Sequence, residues 1–74
     1  MTNKKTYAVI YEHGKRNWSA YAPDLPGCIA TGKTRKDVER RMREAMEFHI
    51  EGLREQGEPV PKPTTEVGAV SIRA

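Results

Sequence analysis

The chain has 74 residues, which is enough for one domain and excludes a two-domain enzyme. Hydrophobic residues make up 36% and charged residues 31%, a balance typical of a compact, highly charged domain. The net charge of +3 permits weak nucleic-acid binding without requiring it. No uncharged run approaches the roughly 20 apolar residues that span a bilayer. The single cysteine, Cys28, cannot form an internal disulfide, so we expect a cytoplasmic protein without membrane contact.

Three short segments in the first half of the chain have the character of strands. Residues 6–12 are rich in β-branched and aromatic side chains. In residues 18–22, Trp18, Ala20 and Ala22 would share one face of a strand, and the segment 28–31 is short and apolar. A polar loop around Gly14 separates the first two segments. The sequence Pro-Asp-Leu-Pro-Gly at 23–27 predicts a rigid turn before the third. We therefore predict an antiparallel meander.

One amphipathic helix is predicted over residues 35–56. Thr34 is a favourable N-cap, and Asp37 follows three residues later, as in a capping box. Apolar side chains recur along one stripe for about four turns, and Phe48 lies outside that stripe. Gly57 is placed to end the helix.

The sequence at the end of the chain predicts a connector and a last strand. Alternating prolines favour an extended connector over 58–66, and 67–72 has the composition of a short strand. The order is strand, strand, strand, helix, strand. This predicts a single α+β domain over 1–74, with a small sheet covered on one face by the helix. A crossover through the helix would place the last strand parallel to a neighbour.

Residues that could carry catalysis do not form a recognisable constellation. Outside the helix, Glu12 lies at a strand end, Asp24 in a turn and Glu66 in the connector, whereas two-metal chemistry needs carboxylates that converge. His49 falls in the apolar stripe and is interpreted as a core histidine. Cys28 has no neighbouring base in the sequence, and no spacing matches a zinc site. We predict no enzyme activity, catalytic residue, metal or cofactor.

Several motifs follow one another along the chain. They are Tyr-Ala-Pro-Asp-Leu-Pro-Gly-Cys at 21–28, Thr-Gly at 31–32, Thr-x-x-Asp at 34–37, Glu-Ala-Met-Glu-Phe-His-Ile-Glu-Gly-Leu at 44–53 and Gly-Glu-Pro-Val-Pro-Lys-Pro at 57–63. In this order they resemble the HicB family of antitoxins. The resemblance implies a partly degraded ribonuclease-H-like fold. It also implies a domain that binds and neutralises a HicA-type toxin, a small protein that cleaves mRNA, by protein–protein contact.

The residues themselves suggest where such a toxin would bind. A rigid turn loses little entropy on docking, so we predict contact through Asp24, Leu25 and Pro26, with Leu25 as an exposed apolar tip. The acidic helix residues Glu47 and Glu51 are further predicted contacts. Many HicB antitoxins carry a C-terminal DNA-binding module. The sequence stops soon after the predicted last strand, so we expect a short stand-alone member without that module.

An alternative hypothesis starts from the charges of the helix, which is basic in its first half and acidic in its second, against the preference of the macrodipole. Two antiparallel helices would match these charges, with Phe48 as an apolar contact, and the apolar strand at Ile29 offers a second route to a homo-dimer or higher oligomer. Such an orphan module would lack a toxin partner. It would bind nucleic acid weakly through its basic residues Arg35, Lys36, Arg40, Arg41 and Arg43.

Overall fold

The computed structural model describes residues 4–74 and contains three strands followed by one long helix. The elements are β1 (Ile10–His13), β2 (Trp18–Tyr21), β3 (Ile29–Gly32) and α1 (Arg35–Glu55). The predicted α+β class is confirmed. Among the residues described, no helix is long and apolar enough to cross a membrane.

The three strands form one antiparallel sheet in the order β1-β2-β3. Ile10 lies opposite Tyr21, and Tyr21 lies opposite Ile29, so the register is continuous across the sheet. The prediction placed the first strand over 6–12, whereas the ladder begins only at Ile10. Because β2 ends at Tyr21, where the chain turns away, the residues before Ile10 extend past the end of their neighbour.

Local signals define both ends of α1. The Thr34 hydroxyl accepts a hydrogen bond from the backbone N–H of Asp37 at 3.0 Å, which confirms the predicted N-cap. Beyond the last turn, Gly57 has a φ of 72°, the left-handed conformation that commonly ends helices. The backbone of the helix packs over β2 and β3, and the helix reaches β1 only through longer side chains such as Arg35, which lies over the Tyr11 ring. This offset leaves an open groove beside β1.

The hydrophobic core is small and lies between the sheet, the turn and the helix. Its most deeply buried members are Leu25, Val38 and Met42, with exposed fractions of 0%, 0% and 1%. The prediction that Leu25 is an exposed tip is therefore wrong. The Leu25 N–H donates to the Ala22 carbonyl at 3.0 Å and its carbonyl accepts from the Cys28 N–H at 3.1 Å. This curled backbone turns the one large apolar side chain of the loop into the core.

The strand predicted over 67–72 is not formed. Within the part of the chain that the structure describes, residues 58–74 belong to no helix or strand. The Tyr7 hydroxyl donates to the Pro61 carbonyl at 2.5 Å and fixes the start of this segment. Beyond the connector the chain leaves the domain, so the residues with strand-like composition have no neighbour to pair with. The ribonuclease-H-like relationship stays a prediction.

Candidate protein-interaction surfaces

A hydrogen-bonded clamp joins the turn between β2 and β3 to the connector after α1. The Asp24 carboxylate accepts the backbone N–H groups of Thr64 and Thr65, both at 2.9 Å. It also accepts their hydroxyls, at 3.0 and 2.8 Å. The N–H of Thr65, followed by that of Thr64, contributes most to lowering the pKa of Asp24 to about 2. We call Asp24, Thr64 and Thr65 the Asp24 clamp.

The clamp changes what the turn can offer to a partner. A carboxylate has about four acceptor positions, and Asp24 uses four within its own chain. Leu25 is buried, so it is not an apolar contact on this surface. Of the three turn residues predicted to meet a toxin, only Pro26 is exposed and uncommitted to these interactions.

An apolar groove lies between β3 and the second half of α1. Ile29 and Phe48, which the sequence suggested separately for self-association, line this groove together and are 68% and 79% exposed. Leu53 and the half-buried His49 line it as well. The groove has a volume of about 520 Å³. We call it the β3 groove. Large apolar side chains this exposed and this close together mark an interaction site more often than an ordinary surface.

Acidic side chains surround Phe48. Glu44 and Glu51 lie four residues before it and three after it, so they share its face of the helix. Glu55 continues the same face, and Glu58 lines the groove itself. These carboxylates are all exposed. The β3 groove therefore has an apolar centre with a negative rim.

A second groove runs between the edge of β1 and α1, with a volume of about 530 Å³. Its apolar lining includes the half-buried side chains of Val9, Tyr11, Met46 and Ile50. We call it the β1 groove. Glu47 is exposed and lines this groove, so the two acidic helix residues predicted to meet a toxin, Glu47 and Glu51, lie towards different grooves.

The basic half of α1 is partly neutralised by its own neighbours. Arg35 forms an ion pair with Glu39, and its guanidinium lies 3.5 Å from the centre of the Tyr11 ring. Arg40 contacts Asp37 at 4.0 Å and Glu44 at 3.4 Å. Such pairs offset part of the unfavourable interaction with the helix dipole. The other predicted nucleic-acid contacts are exposed: Lys36, Arg41 and Arg43. Binding of nucleic acid stays a prediction.

The remaining reactive side chains are dispersed. His13 stacks on Trp18, with ring centroids 4.5 Å apart and an interplanar angle of 10°. Cys28 is buried in the core, and this burial raises the pKa of its thiol. No three His, Cys, Asp or Glu side chains within the described part of the chain are grouped to hold a metal ion.

Sequence reasoning missed two features of these surfaces. Asp24 and its two threonine partners are 40 and 41 residues apart, and no local pattern predicts that pairing. The β1 groove was missed because it results from the sideways offset of the helix on the sheet. The one sequence signal for an open sheet edge is the strand-like segment at 67–72, which the prediction places parallel to a neighbouring strand.

These observations define a small α+β domain with two exposed apolar grooves, a form suited to protein–protein contact. A family model described as the HicB-like antitoxin of bacterial toxin–antitoxin systems matches residues 7–72. The chain belongs to this family.

Two relatives illustrate the similarity. An uncharacterized 14.9 kDa protein of Haemophilus phage HP1 is 36% identical over 56 residues, which cover 76% of this chain and 42% of that protein. Antitoxin HicB 2 of Photorhabdus laumondii is 29% identical over 70 residues, which cover 89% of this chain and 48% of the antitoxin. The chain thus spans less than half the length of both relatives.

A solved structure supports the same relationship. A chain of the HicA3 and HicB3 toxin–antitoxin complex matches with a TM-score of 0.69 and 32% sequence identity. The match covers 81% of this chain and 70% of that one. The likeness therefore extends to both sequence and fold.

Proposed function

We propose that this chain neutralises a HicA-type toxin by binding it over the β3 groove. The observation that carries the proposal is the match, at 32% identity and a TM-score of 0.69, to a chain of a toxin–antitoxin complex. Membership of the HicB-like antitoxin family supports the same role.

The chemistry of the β3 groove fits a basic protein partner. A toxin that acts on RNA needs positive charge to hold phosphates, so its active surface favours a negative partner. Glu51 and Glu55, in the rim around Phe48, supply that negative charge. Ile29 and Phe48 form the apolar centre that the partner would cover. An exposed aromatic side chain within a charged rim is the usual arrangement of an interface centre.

This location revises the contact predicted from the sequence. Leu25 supports the site from within the core, and Asp24 supports it by fixing the connector. Pro26 and Glu51 remain as direct contacts in the proposal, because both are exposed. Occlusion of the toxin's basic surface would block access of mRNA without any catalytic step in this chain.

Growth rescue tests the proposal. The probe is a HicA-type toxin taken from the genome that encodes this chain, expressed from an inducible promoter in a bacterial host with or without this chain. We expect toxin alone to stop growth and co-expression to restore it, with a stoichiometric complex on purification. Absence of any HicA-type toxin from the genome, or a well-folded chain that fails to restore growth, would overturn the proposal.

Substitutions then locate the surface. Phe48→Ala and Ile29→Ala should each raise the dissociation constant by roughly 10-fold to 30-fold if they lie at the interface centre. Lys36→Ala is the matched control, because it truncates an exposed residue in the other half of the same helix. We expect it to change the constant by less than about 3-fold. Equal constants for all three variants would move the toxin away from the β3 groove.

A further inference from the structure

The chain beyond the Asp24 clamp forms an arm, residues 66–74, that leaves the domain. Its three large apolar side chains, Val67, Val70 and Ile72, are 69%, 86% and 80% exposed. The radius of gyration is 14.2 Å, whereas a compact chain of this length would have about 11 Å. Since β-branched residues are typical of strands, this arm has the composition of a strand and no ladder within the described residues.

The same molecule has an uncovered sheet edge. β1 is an outer strand, and residues 5–9 before it join no ladder in the part of the chain that is described. An unpaired edge is a template for another strand. Beside this edge the β1 groove opens between two pairs of half-buried side chains: Val9, just before β1, and Tyr11 in β1 on one side, and Met46 and Ile50 of the helix on the other.

We propose that residues 67–72 of one copy add to the β1 edge of a second copy as a fourth strand, and that the exchange is reciprocal. The clamp holds Thr64 and Thr65, and from there the arm leaves its own domain. Fully extended, residues 66–74 reach about 30 Å. The two shorter dimensions of the molecule are 27 and 23 Å, so the arm can cross to a neighbouring copy. Reciprocal exchange under a two-fold axis covers both arms and both grooves.

Charges at one end of the β1 groove orient the added strand. Lys5 and Arg54 line the end beside the start of β1 and the end of α1. The opposite end, near the start of α1, has mixed charge, because Glu39 lines it together with Arg43 and is paired with Arg35. The arm begins with Glu66 and carries Arg73 at its far end. An arm parallel to β1 places Glu66 beside Lys5 and Arg54, whereas an antiparallel arm places Arg73 beside these two basic residues.

Alternation along the strand then selects the side chains that enter the groove. Val70 and Ile72 share one face, and Ala69 and Ser71 share the other, on which Val67 also lies at the start of the arm. The helix covers one face of the sheet only, so the larger pair fits towards Met46 on the covered side and the smaller pair faces out. Burial of Val70 and Ile72 removes the two most exposed apolar side chains of the arm from water.

Sedimentation analysis over a concentration series tests the exchange. We expect the wild-type chain to form a dimer. The double variant Val70→Lys, Ile72→Lys should weaken the dimer by roughly 100-fold or more, since two charges would enter an apolar groove in each copy. The matched control, Ala69→Lys with Ser71→Lys, adds the same charges to the outer face and should change the dissociation constant by less than about 5-fold. All four positions are exposed in the single chain, so both variants should fold.

Amide hydrogen exchange distinguishes the reciprocal pairing of the two arms from other arrangements of the dimer or monomer. We expect residues 5–9 and 67–72 to be protected above the dissociation constant and to lose protection together on dilution. Protection of both segments in a monomer would show that the arm folds back on its own sheet, and would overturn the proposal. A monomer without protection would overturn it too, as would a dimer that Phe48→Ala disrupts and the arm variant does not. Toxin neutralisation through the β3 groove does not depend on this result.

Discussion

The carboxylate of Asp24 accepts two hydrogen bonds from Thr65, one from the backbone N–H at 2.9 Å and one from the hydroxyl at 2.8 Å. The two residues are 41 positions apart in the sequence. This contact joins the turn before β3 to the connector after α1. It thereby determines where the arm leaves the domain, and it lies next to Leu25, which the same turn places in the core.

Asp24→Asn should release the connector. The asparagine amide keeps one acceptor oxygen, but its NH₂ group would face N–H and O–H donors. We expect amide exchange at Thr64 and Thr65 to become at least about 10-fold faster, because charge-assisted hydrogen bonds are stronger than neutral ones. Exchange rates from NMR check this. Glu12→Gln, at an exposed carboxylate in β1, is the control and should leave both rates unchanged.

The clamp should weaken in acid. Hydrogen bonds from Thr65 and Thr64 lower the pKa of Asp24 from 3.8 to about 2, so the folded state binds this proton less readily than the unfolded state. Its contribution to stability is therefore complete above about pH 4 and is lost as the pH falls through about 2. We expect the difference in urea midpoint between wild type and Asp24→Asn to shrink over this interval. A difference that stays constant down to pH 1.5 would contradict the assignment.

Leu25→Ala should destabilise the fold. Leu25 is fully buried, and removing a buried leucine side chain costs about 2–5 kcal/mol of unfolding free energy. That is a large part of the total of about 4–11 kcal/mol expected for a domain of this size. Ile29→Ala is the comparison. Because Ile29 is 68% exposed, this substitution should lower the unfolding free energy by about 1 kcal/mol or less. Urea unfolding measures both. Equal effects would argue against the burial of Leu25.

Two glycines should respond in opposite ways to alanine. A Cβ at Gly32 would lie 2.8 Å from the Val38 backbone nitrogen, so the junction of β3 and α1 would have to shift. We expect a loss of about 1–3 kcal/mol. At Gly52, inside α1, a Cβ meets nothing within 4 Å, and alanine should stabilise the helix by about 0.5–1 kcal/mol. In thermal unfolding, the midpoint temperature of Gly32→Ala should lie below that of the wild type, and the midpoint temperature of Gly52→Ala should lie above it.

Cys28 should react slowly with thiol reagents. It is 5% exposed, and burial raises the pKa of its thiol, so little thiolate meets solvent at neutral pH. We expect modification by a disulfide reagent at least about 100-fold slower in the native protein than in urea. Rapid labelling of the native chain would indicate that the turn around Cys28 opens readily. Labelling of Leu25→Ala should be faster than that of wild type, because the loop loses its core contact.

Local signals predicted the regular elements well. Thr34 and Gly57 mark the ends of the helix because capping depends on residues within one turn of each other. The three strands were found because their composition and the intervening turns are local too. The first strand was predicted too long, because a strand ends where its neighbour ends, and the composition of one segment does not contain that information.

The candidate site was predicted only in part. Phe48 was identified because it breaks the apolar periodicity of the helix, and the structure sets it beside Ile29 on the β3 groove. Leu25 was predicted to be exposed, whereas the structure buries it in the core. A leucine between two prolines has the same local pattern whether its loop curls inward or projects, and the choice depends on the space left under Val38 and Met42.

The sequence by itself determined the α+β class, the helix with its caps, the family resemblance and the apolar residue that the helix does not bury. All of these follow from propensity, periodicity or motif order, which act over a few neighbouring residues. Only the tertiary structure decided that Leu25 is core, that Asp24 is bound to the connector and that the arm has no strand partner in its own domain. Those outcomes depend on contacts between distant parts of the chain, 40 residues apart for Asp24 and Thr64, and on the offset between helix and sheet.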